Sequence, residues 1–151
     1  MDEQLIEFIQ SGIMMVIGTC DDGGELAIAR GVGARVVDAE AGLLRVVYSS
    51  SHWPRIADHL QGGGVAALTC SRPTDYMTYQ FKGVAHVVIP DEDDLSANTA
   101  YHKLVATNLP VTGIDPDHVA IWLDSDCPMT VQFKIKEMYV QTPGPRAGVK
   151  V

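Results

Sequence analysis

The strongest constraint on the fold is that the first three apolar segments of strand length follow one another with no helix between them. They cover residues 13–19, 25–37 and 43–49, and only an Asp-Asp-Gly-Gly turn at 21–24 and a turn at 38–42 separate them. Further strands are predicted over residues 65–70, 76–89, 118–123 and 130–140. A doubly wound parallel sheet needs a helix between most of its strands. The pattern therefore predicts a mainly β protein, an antiparallel barrel with peripheral helices.

Three helices are predicted around these strands, over residues 2–11, 53–60 and roughly 95–107. Ser51 or His52 is a possible N-terminal cap of the second helix. Gly83 interrupts a long strand, which indicates a bulge or a sharp bend at that residue. No linker or repeat divides the 151 residues, so we expect one domain, with a leading helix in 1–12 and a Pro-Gly loop in 141–151.

Composition and charge exclude several classes of function. The formal net charge of −8 argues against binding to nucleic acid or to an anionic membrane surface, because both need many cationic side chains. The first four residues lack the basic start of a secretory signal, and no apolar segment is long enough to span a membrane. The three cysteines form no Cys-x-x-Cys pair, and the five histidines show no metal-ligand spacing. We therefore expect a cytoplasmic protein with reduced thiols and no metal site.

Three arginines stand near clustered hydroxyl groups in this acidic chain: Arg30 and Arg35 in the second predicted strand, and Arg55 at the start of the second helix. The hydroxyl residues that end the third predicted strand or follow it are Tyr48, Ser49, Ser50 and Ser51. Guanidinium groups give bidentate bonds to phosphate, hydroxyls add neutral donors, and a helix start adds free backbone N–H groups. The combination predicts a site for a phosphate monoester. The alternative interpretation is that the arginines are surface charges paired with acids such as Asp38 and Asp58.

Strand geometry by itself places Arg30 and Arg35 on opposite faces, because side chains alternate and the two residues are five positions apart. A bulge at Gly31 or Gly33 would shift the alternation by one residue. Both guanidinium groups would then lie on the same side of the sheet.

The order of motifs over residues 5–89 resembles that of the FMN-binding split barrels, the family of pyridoxamine 5'-phosphate oxidase and its relatives. The motifs are a leading helix, the strand Ile-Met-Met-Val-Ile-Gly-Thr, the acidic Gly turn, the two arginines, Val-Val-Tyr-Ser-Ser, a basic residue opening a helix, and Gly83 in a long strand. The resemblance implies a six-stranded antiparallel Greek-key split barrel that binds FMN. It also implies a homodimer with two flavins at the subunit interface, and an oxidoreductase activity on an unknown substrate.

The resemblance further implies roles for residues of this sequence. Arg30 and Arg35 match two basic residues that contact the FMN phosphate, and Arg55 matches a Lys or Arg that also holds it. Where the family usually has Ser-x-Lys this chain has Trp53-Pro54-Arg55, and Trp53 would either stack on the cofactor or wall it, or pack as an aromatic at the helix start. Gln80 would reach the flavin from the second subunit, or is an ordinary solvent-facing strand residue. The expected cofactor-binding residues are Arg30, Arg35, Tyr48, Ser49, Ser50, Ser51, Trp53, Arg55 and Gln80. No catalytic side chain is predicted, because the isoalloxazine supplies the hydride chemistry.

Other functions on the same fold remain open. In the family's namesake oxidase a C-terminal segment rich in Arg and His closes over the substrate phosphate, whereas this C-terminus offers Arg146 in a Pro-Gly loop, with Lys136 and Lys150, and no comparable Arg-x-His. We therefore do not expect oxidation of pyridoxamine phosphate. The alternatives are a non-catalytic flavin- or haem-binding protein, with His52, His86 or His102 as the iron ligand, and a reductase that uses the deazaflavin F420. The last alternative is a structural or interaction domain in which the arginines bind no ligand.

Overall fold

Six strands close into one antiparallel barrel in the computed structural model, which describes residues 1–108, 113 and 123–151. In chain order the elements are α1 (Glu3–Gln10), β1 (Met14–Cys20), β2 (Leu26–Asp38), β3 (Leu43–Ser49), α2 (Arg55–His59), β4 (Gly64–Ser71), β5 (Thr78–Val88), α3 (Glu92–Asn108) and β6 (Pro128–Val140). The prediction of a mainly β antiparallel barrel with peripheral helices is confirmed. The strand predicted over 118–123 lies outside the described residues, except for Leu123 in a turn.

The strands follow the order β1-β2-β3-β6-β5-β4, and β4 pairs with β1 to close the barrel. The first three strands form a meander, in which Val16 lies opposite Arg30 and Arg35 lies opposite Arg45. After α2 the chain continues as β4 on the other side of β1. All six pairings are antiparallel, and the order is the expected Greek key.

The core consists of the inward-facing residues of the strands together with buried residues of all three helices. Its fully buried side chains include Met15, Ile17, Leu44, Leu68, Phe81 and Phe133 from strands and Ile9, Ile56 and Leu60 from helices or the turns that follow them. Burying one such side chain contributes roughly 1.5–3 kcal/mol relative to leaving it exposed. Packing of α1 and α2 onto the barrel therefore stabilises two helices that are too short to form alone.

The two short helices begin differently. The side chain of Asp2 caps α1 and accepts a hydrogen bond of 2.9 Å from the backbone N–H of Leu5. The prediction that Ser51 or His52 caps α2 is wrong, because Pro54 occupies the cap position and makes no side-chain capping bond. The side chains of Ser51 and His52 instead hydrogen-bond to Ser49.

A bulge in β2 brings Arg30 and Arg35 to the same side of the sheet, so the opposite placement that follows from regular alternation does not occur. Gly31 pairs with Tyr48 but Ala34 pairs with Val46, so β2 has one residue more than β3 between these pairs. Gly33 has φ +151°, and a Cβ at this position would lie 2.7 Å from the Cα of Asn98 in α3. Glycine at the bulge therefore allows α3 to approach the sheet.

The predicted irregularity at Gly83 is also confirmed as a bulge. Lys82 pairs with Glu137 and Gly83 with Ile135, so the extra residue lies in β6, and β5 continues as one strand. A Cβ on Gly83 would collide with the backbone carbonyl of Lys134. The bulge thus brings the two strands too close for any other residue at this position.

Residues 141–151 form a loop that returns to the barrel. The backbone N–H of Gly148 donates to Val140, that of Val151 donates to Met138, and Lys150 forms a bridge with Tyr139. The tail thereby covers the edge of β6 beyond its last pairing with β3. In the part of the chain that the structure describes, no helix is long and apolar enough to cross a membrane.

Candidate functional site

Arg35 is held by two carboxylates at the start of α3, one of them from the residue that precedes the helix. Its Nε lies 2.7 Å from Asp94 Oδ1, and a terminal nitrogen lies 2.7 Å from Asp91 Oδ2. Arg45, its neighbour across the strands, contacts the same two carboxylates. The Asp94 side chain is 1% exposed and also accepts a hydrogen bond from Thr130. These arginines are therefore part of a largely buried ion cluster, and the surface acids considered from the sequence are not their partners.

Arg30 lies beside the end of β3, on the outer side of the barrel. Gly31 faces the core, since a Cβ there would meet the side chains of Val46 and Met15, so the preceding residue points outward. Because Gly31 pairs with Tyr48, Arg30 is the cross-strand neighbour of Ser49. Its guanidinium lies 2.9 Å from the sulfur of Met14.

Arg55 opens α2 and reaches toward the turn between β1 and β2. Its terminal nitrogen lies 3.0 Å from Glu25 Oε2, and the two side chains are 54% and 69% exposed. Exposed ion pairs of this kind contribute about 0–1 kcal/mol, because water competes for both charges. The Arg55 guanidinium can therefore exchange this partner for a ligand anion at little cost.

The serine end, which we define as Ser49, Ser50 and Ser51, is tied to the segment that precedes β6. Ser49 Oγ donates to the carbonyl of Asp126 over 2.7 Å, and Ser51 Oγ donates to the same carbonyl over 3.3 Å. Ser50 Oγ donates to the carbonyl of Cys127 over 2.7 Å. Ser49 is buried, Ser50 is half-buried and Ser51 is exposed. Only the last two can present hydroxyls to a ligand.

A Ser-His-Asp sequence of contacts occurs at this end but does not form a nucleophilic triad. His52 Nδ1 lies 2.9 Å from Ser49 Oγ, and His52 Nε2 lies 3.6 Å from Asp124 Oδ2. The Ser49 hydroxyl donates its proton to a backbone carbonyl and is buried, so it is not available to attack a substrate. His52 instead connects the serine end to residues 124–126.

Two of the predicted cofactor-binding residues turn toward the interior. Tyr48 is fully buried, and its hydroxyl makes no hydrogen bond with any described residue. Burial, together with the charge of Asp58, raises the pKa of Tyr48 to about 12. Tyr48 can therefore offer a ligand only its backbone. Trp53 is half-buried and packs against the core.

The outer sides of β2, β1, β4 and β5 form a continuous surface that we call the open face. Its exposed apolar side chains are Val16, Leu26, Ile28, Val65 and Val84. A concavity of about 630 Å³ lies on it, with Gly18 and Ala67 among its small lining residues and Lys82 and Lys136 as its cations. Gln80 belongs to the same face and donates a hydrogen bond of 3.1 Å to Thr69.

The structure brings some of the predicted residues together and separates others. Arg30 neighbours the serine end, and Gln80 lies in the same cross-strand row as Arg30, with Val16 and Thr69 between them. Arg35 is directed to α3 and Arg55 to the β1–β2 turn. Sequence reasoning missed the acids at the start of α3, Asp91 and Asp94, which follow Arg35 by 56 and 59 residues, and no local pattern signals such a distant contact. Within the described ranges, no group of three metal-ligating side chains occurs.

Comparison with known proteins identifies the fold. No protein-family model and no curated protein matches the sequence significantly. Among solved structures, the chain is similar to a putative pyridoxamine 5'-phosphate oxidase from Lactobacillus delbrueckii, with 14% identity, a TM-score of 0.56 and 93% of each chain covered. An F420 reductase matches with 10% identity and a TM-score of 0.56, over 91% of this chain and 98% of the other. The heme storage protein HutZ from Vibrio cholerae matches with 15% identity and a TM-score of 0.51, over 92% and 93%. At these identities the similarity shows a common fold.

Proposed function

Because the chain has the split-barrel fold of pyridoxamine 5'-phosphate oxidase-like proteins, we propose that it binds FMN and acts as an oxidoreductase on a substrate other than pyridoxamine phosphate. The observation that supports FMN most directly is the position of Arg30 beside the serine end. The exposed Arg55 follows the serine end along the chain and opens α2. FMN would supply hydride or electron transfer at its isoalloxazine ring, and the side chains would bind and orient it.

The residues present fit a phosphate in part. Arg30 and Arg55 can supply charge-assisted hydrogen bonds, and the hydroxyls of Ser50 and Ser51 can turn from backbone carbonyls toward a ligand. Arg35 fits poorly, because phosphate would have to displace two carboxylates, one of which is buried. The proposed phosphate site therefore contains two arginines, one fewer than the sequence analysis expected.

We also propose that the protein is a homodimer that buries the open face. Leu26 is 72% exposed, Ile28 60% and Val65 62%, and apolar side chains this exposed and contiguous mark an interaction surface. Small residues such as Gly18 and Ala67 leave a depression between these side chains, into which larger side chains of a second copy fit. Gln80 lies on this face and would meet the partner subunit, as its expected role requires.

Sedimentation equilibrium tests the dimer with a matched pair of variants. Ile28→Asp places a charge in the proposed interface and should give a monomer. Ile89→Asp is the control, because Ile89 is 81% exposed and follows the end of β5. A wild-type protein that sediments as a monomer, or an Ile28→Asp variant that remains dimeric, would contradict the proposed interface.

The cofactor is tested by the absorbance spectrum of the purified protein and by titration with FMN and riboflavin. Replacing Arg30 and Arg55 together by Ala removes two charge-assisted contacts of roughly 1.5–3 kcal/mol each, so FMN affinity should fall by about 100-fold or more. Riboflavin, which lacks the phosphate, should bind almost as before. Arg72→Ala is the control, because Arg72 is half-exposed and pairs with Asp75. Equal weakening of both ligands would show that the arginines do not bind phosphate.

The same spectrum distinguishes the two other cofactors suggested by the comparisons. F420 has a deazaflavin absorbance that differs from that of FMN, and haem gives a Soret band. Of the histidines considered as iron ligands, His52 and His102 already hydrogen-bond through a ring nitrogen, to Ser49 and Asn98 respectively. Each of these bonds uses one ring nitrogen and leaves the other able to bind iron, so the spectrum decides between haem and FMN.

A further inference from the structure

We propose that the protein has a second ligand site, which binds a small carboxylic acid with an apolar body at one end of the barrel. The site is a concavity of about 410 Å³ between the start of β5, the end of β6 and the C-terminal tail, and we call it the tail cavity. It shares no lining residue with the serine end or with the concavity of the open face. Binding there goes beyond the proposed function and does not require FMN.

The walls of the tail cavity are apolar side chains that point into the barrel. Phe81 is fully buried in the core and pairs with Met138 of β6, and Tyr79 pairs with Val140. Paired residues of antiparallel strands point to the same side of the sheet, and side chains alternate along each strand. Met138, Val140 and Tyr79 therefore face inward, as Phe81 does. All three are only half-buried, because the described part of the chain leaves this end of the interior unfilled.

The tail adds a further wall, on the side of β6 that β3 leaves free. Lys150 forms an antiparallel bridge with Tyr139, and the backbone N–H of Val151 donates a hydrogen bond of 2.9 Å to the carbonyl of Met138. Lys150 and Tyr139 point outward, where the Lys150 ammonium pairs with Glu137. By alternation Val151 points inward, and it lines the cavity together with Met138.

The loop of residues 142–147 above the cavity is fixed at both ends. At its start the backbone N–H of Gln141 donates a hydrogen bond of 2.8 Å to the carbonyl of Thr78, and the hydroxyl of Thr142 accepts one of 2.9 Å from the N–H of Thr78. After its end the N–H of Gly148 donates to the carbonyl of Val140 over 2.8 Å. The two prolines of the loop restrict its backbone further. Little binding free energy is therefore needed to order the loop around a ligand.

Arg146, in this loop, supplies the charge of the site. It lines the cavity, and its guanidinium makes no ion pair or hydrogen bond with any residue that the structure describes. By contrast, Arg55 and Arg72 each pair with a carboxylate. Among the described residues, no aspartate or glutamate side chain lines the cavity. In a chain with a formal net charge of −8, an unpaired guanidinium beside apolar walls favours an anionic ligand.

A carboxylic acid with an apolar body matches both features of the cavity. Its apolar part would displace water from walls that offer few hydrogen bonds, and its carboxylate would accept charge-assisted bonds from Arg146. A single guanidinium suits the single charge of a carboxylate better than the nearly double charge of a phosphate monoester. The flexible side chains of Met77 and Met138 can adjust to bodies of different shape. The volume is typical of small-molecule sites, so we expect medium-chain fatty acids and arylalkanoic acids as the ligand class.

Isothermal titration calorimetry of the full chain tests the site with two acids, octanoate and 3-phenylpropionate, each compared with the alcohol of the same carbon skeleton. At least one acid should bind with a dissociation constant below about 1 mM, and about tenfold more tightly than its alcohol. Arg146→Met should reduce this preference to within about twofold, because the walls remain and the charge is lost. Lys103→Met is the matched control, because Lys103 is an exposed cation of α3 outside the cavity, and its loss should leave the preference unchanged.

Nuclear magnetic resonance of isotope-labelled methionine methyl groups tests where the acid binds. Met77 and Met138 line the cavity, so titration with the acid should shift the resonances of both. Met129, at the start of β6 and outside the cavity, is the internal reference and should not shift.

Three results would each overturn the tail cavity as a carboxylate site. They are failure of both acids to bind, a shift of Met129 without shifts of Met77 and Met138, and an unchanged preference for acid over alcohol in Arg146→Met. None of these results bears on FMN binding, which the absorbance spectrum tests separately.

Discussion

Replacing Asp94 by Asn should destabilise the protein far more than the same change one residue earlier. Asp94 is 1% exposed and lies within 3.2 Å of two guanidinium groups, whereas Asp93 is 81% exposed and lies 3.8 Å from Arg35. Losing one partner of a buried ion pair costs about 3–5 kcal/mol. Arg35 and Arg45 retain 20% and 13% side-chain exposure, so water compensates part of this cost, and we expect a loss of about 2–4 kcal/mol.

Thermal and urea unfolding measure this loss. The protein concentration is kept the same in all samples, because association would shift the melting temperature. For a domain of this size, 2–4 kcal/mol corresponds to a drop of about 4–16 °C. The control Asp93→Asn should change the unfolding free energy by about 1 kcal/mol or less. If Asp94→Asn falls in the range of the control, the ion cluster does not hold α3, and the assignment of Arg35 to this cluster is wrong.

Three further predictions concern the barrel and its helix. Gly83→Ala should lower stability by several kcal/mol, because the new Cβ collides with a backbone carbonyl; Gly18→Ala, whose Cβ has 3.9 Å of clearance, should cost about 1 kcal/mol or less in urea unfolding. Tyr48→Phe should leave stability unchanged or raise it by about 1 kcal/mol, since it removes a buried hydroxyl that has no hydrogen-bond partner among the described residues; a loss above that size in the same assay would contradict this. The backbone N–H of Asp94 and two nearby arginines hold the pKa of Asp91 below its ordinary value of 3.8. The Asp91 carboxylate therefore stabilises the fold above pH 3.8, and this contribution is lost as the pH falls through the lowered pKa. Asp91→Asn should flatten the acid limb of a curve of unfolding free energy against pH.

The strand pattern alone predicted most of the barrel. Strand β3 begins and ends where the sequence analysis placed it, and the bulge at Gly83 was predicted from a glycine in a long strand. The bulge in β2 was one of two possibilities that the sequence left open. These features depend on neighbouring residues and on turns, which a single sequence displays. The cap of α2 was misassigned because Ser51 and His52 have a competing partner in Ser49, which a helix-start pattern does not reveal.

The candidate site was predicted less completely, because its contacts join distant parts of the chain. The residues from Val46 to Ser49 are all buried, on both sides of the sheet. Their sequence therefore lacks the alternation of inward and outward positions that would have shown that Tyr48 points inward. Likewise, the arginines of the second strand suggested phosphate, but the carboxylates that meet Arg35 lie at the start of α3, 56 and 59 residues further along the chain. Sequence showed which charges the chain has, and only the packing of α3 showed how they are distributed.

The bulge in β2 makes the number of residues in this strand a chemical constraint. Arg30 and Arg35 are an odd number of positions apart, and they share the outer side of the barrel only because one residue near Gly33 is unmatched in β3. Deleting a single residue between them would either remove the bulge or turn one guanidinium toward the apolar core. A relative without this bulge must space its two basic residues by an even number to keep both outside. In alignments of such proteins, the presence of the bulge and the number of residues between the two basic residues should therefore change together.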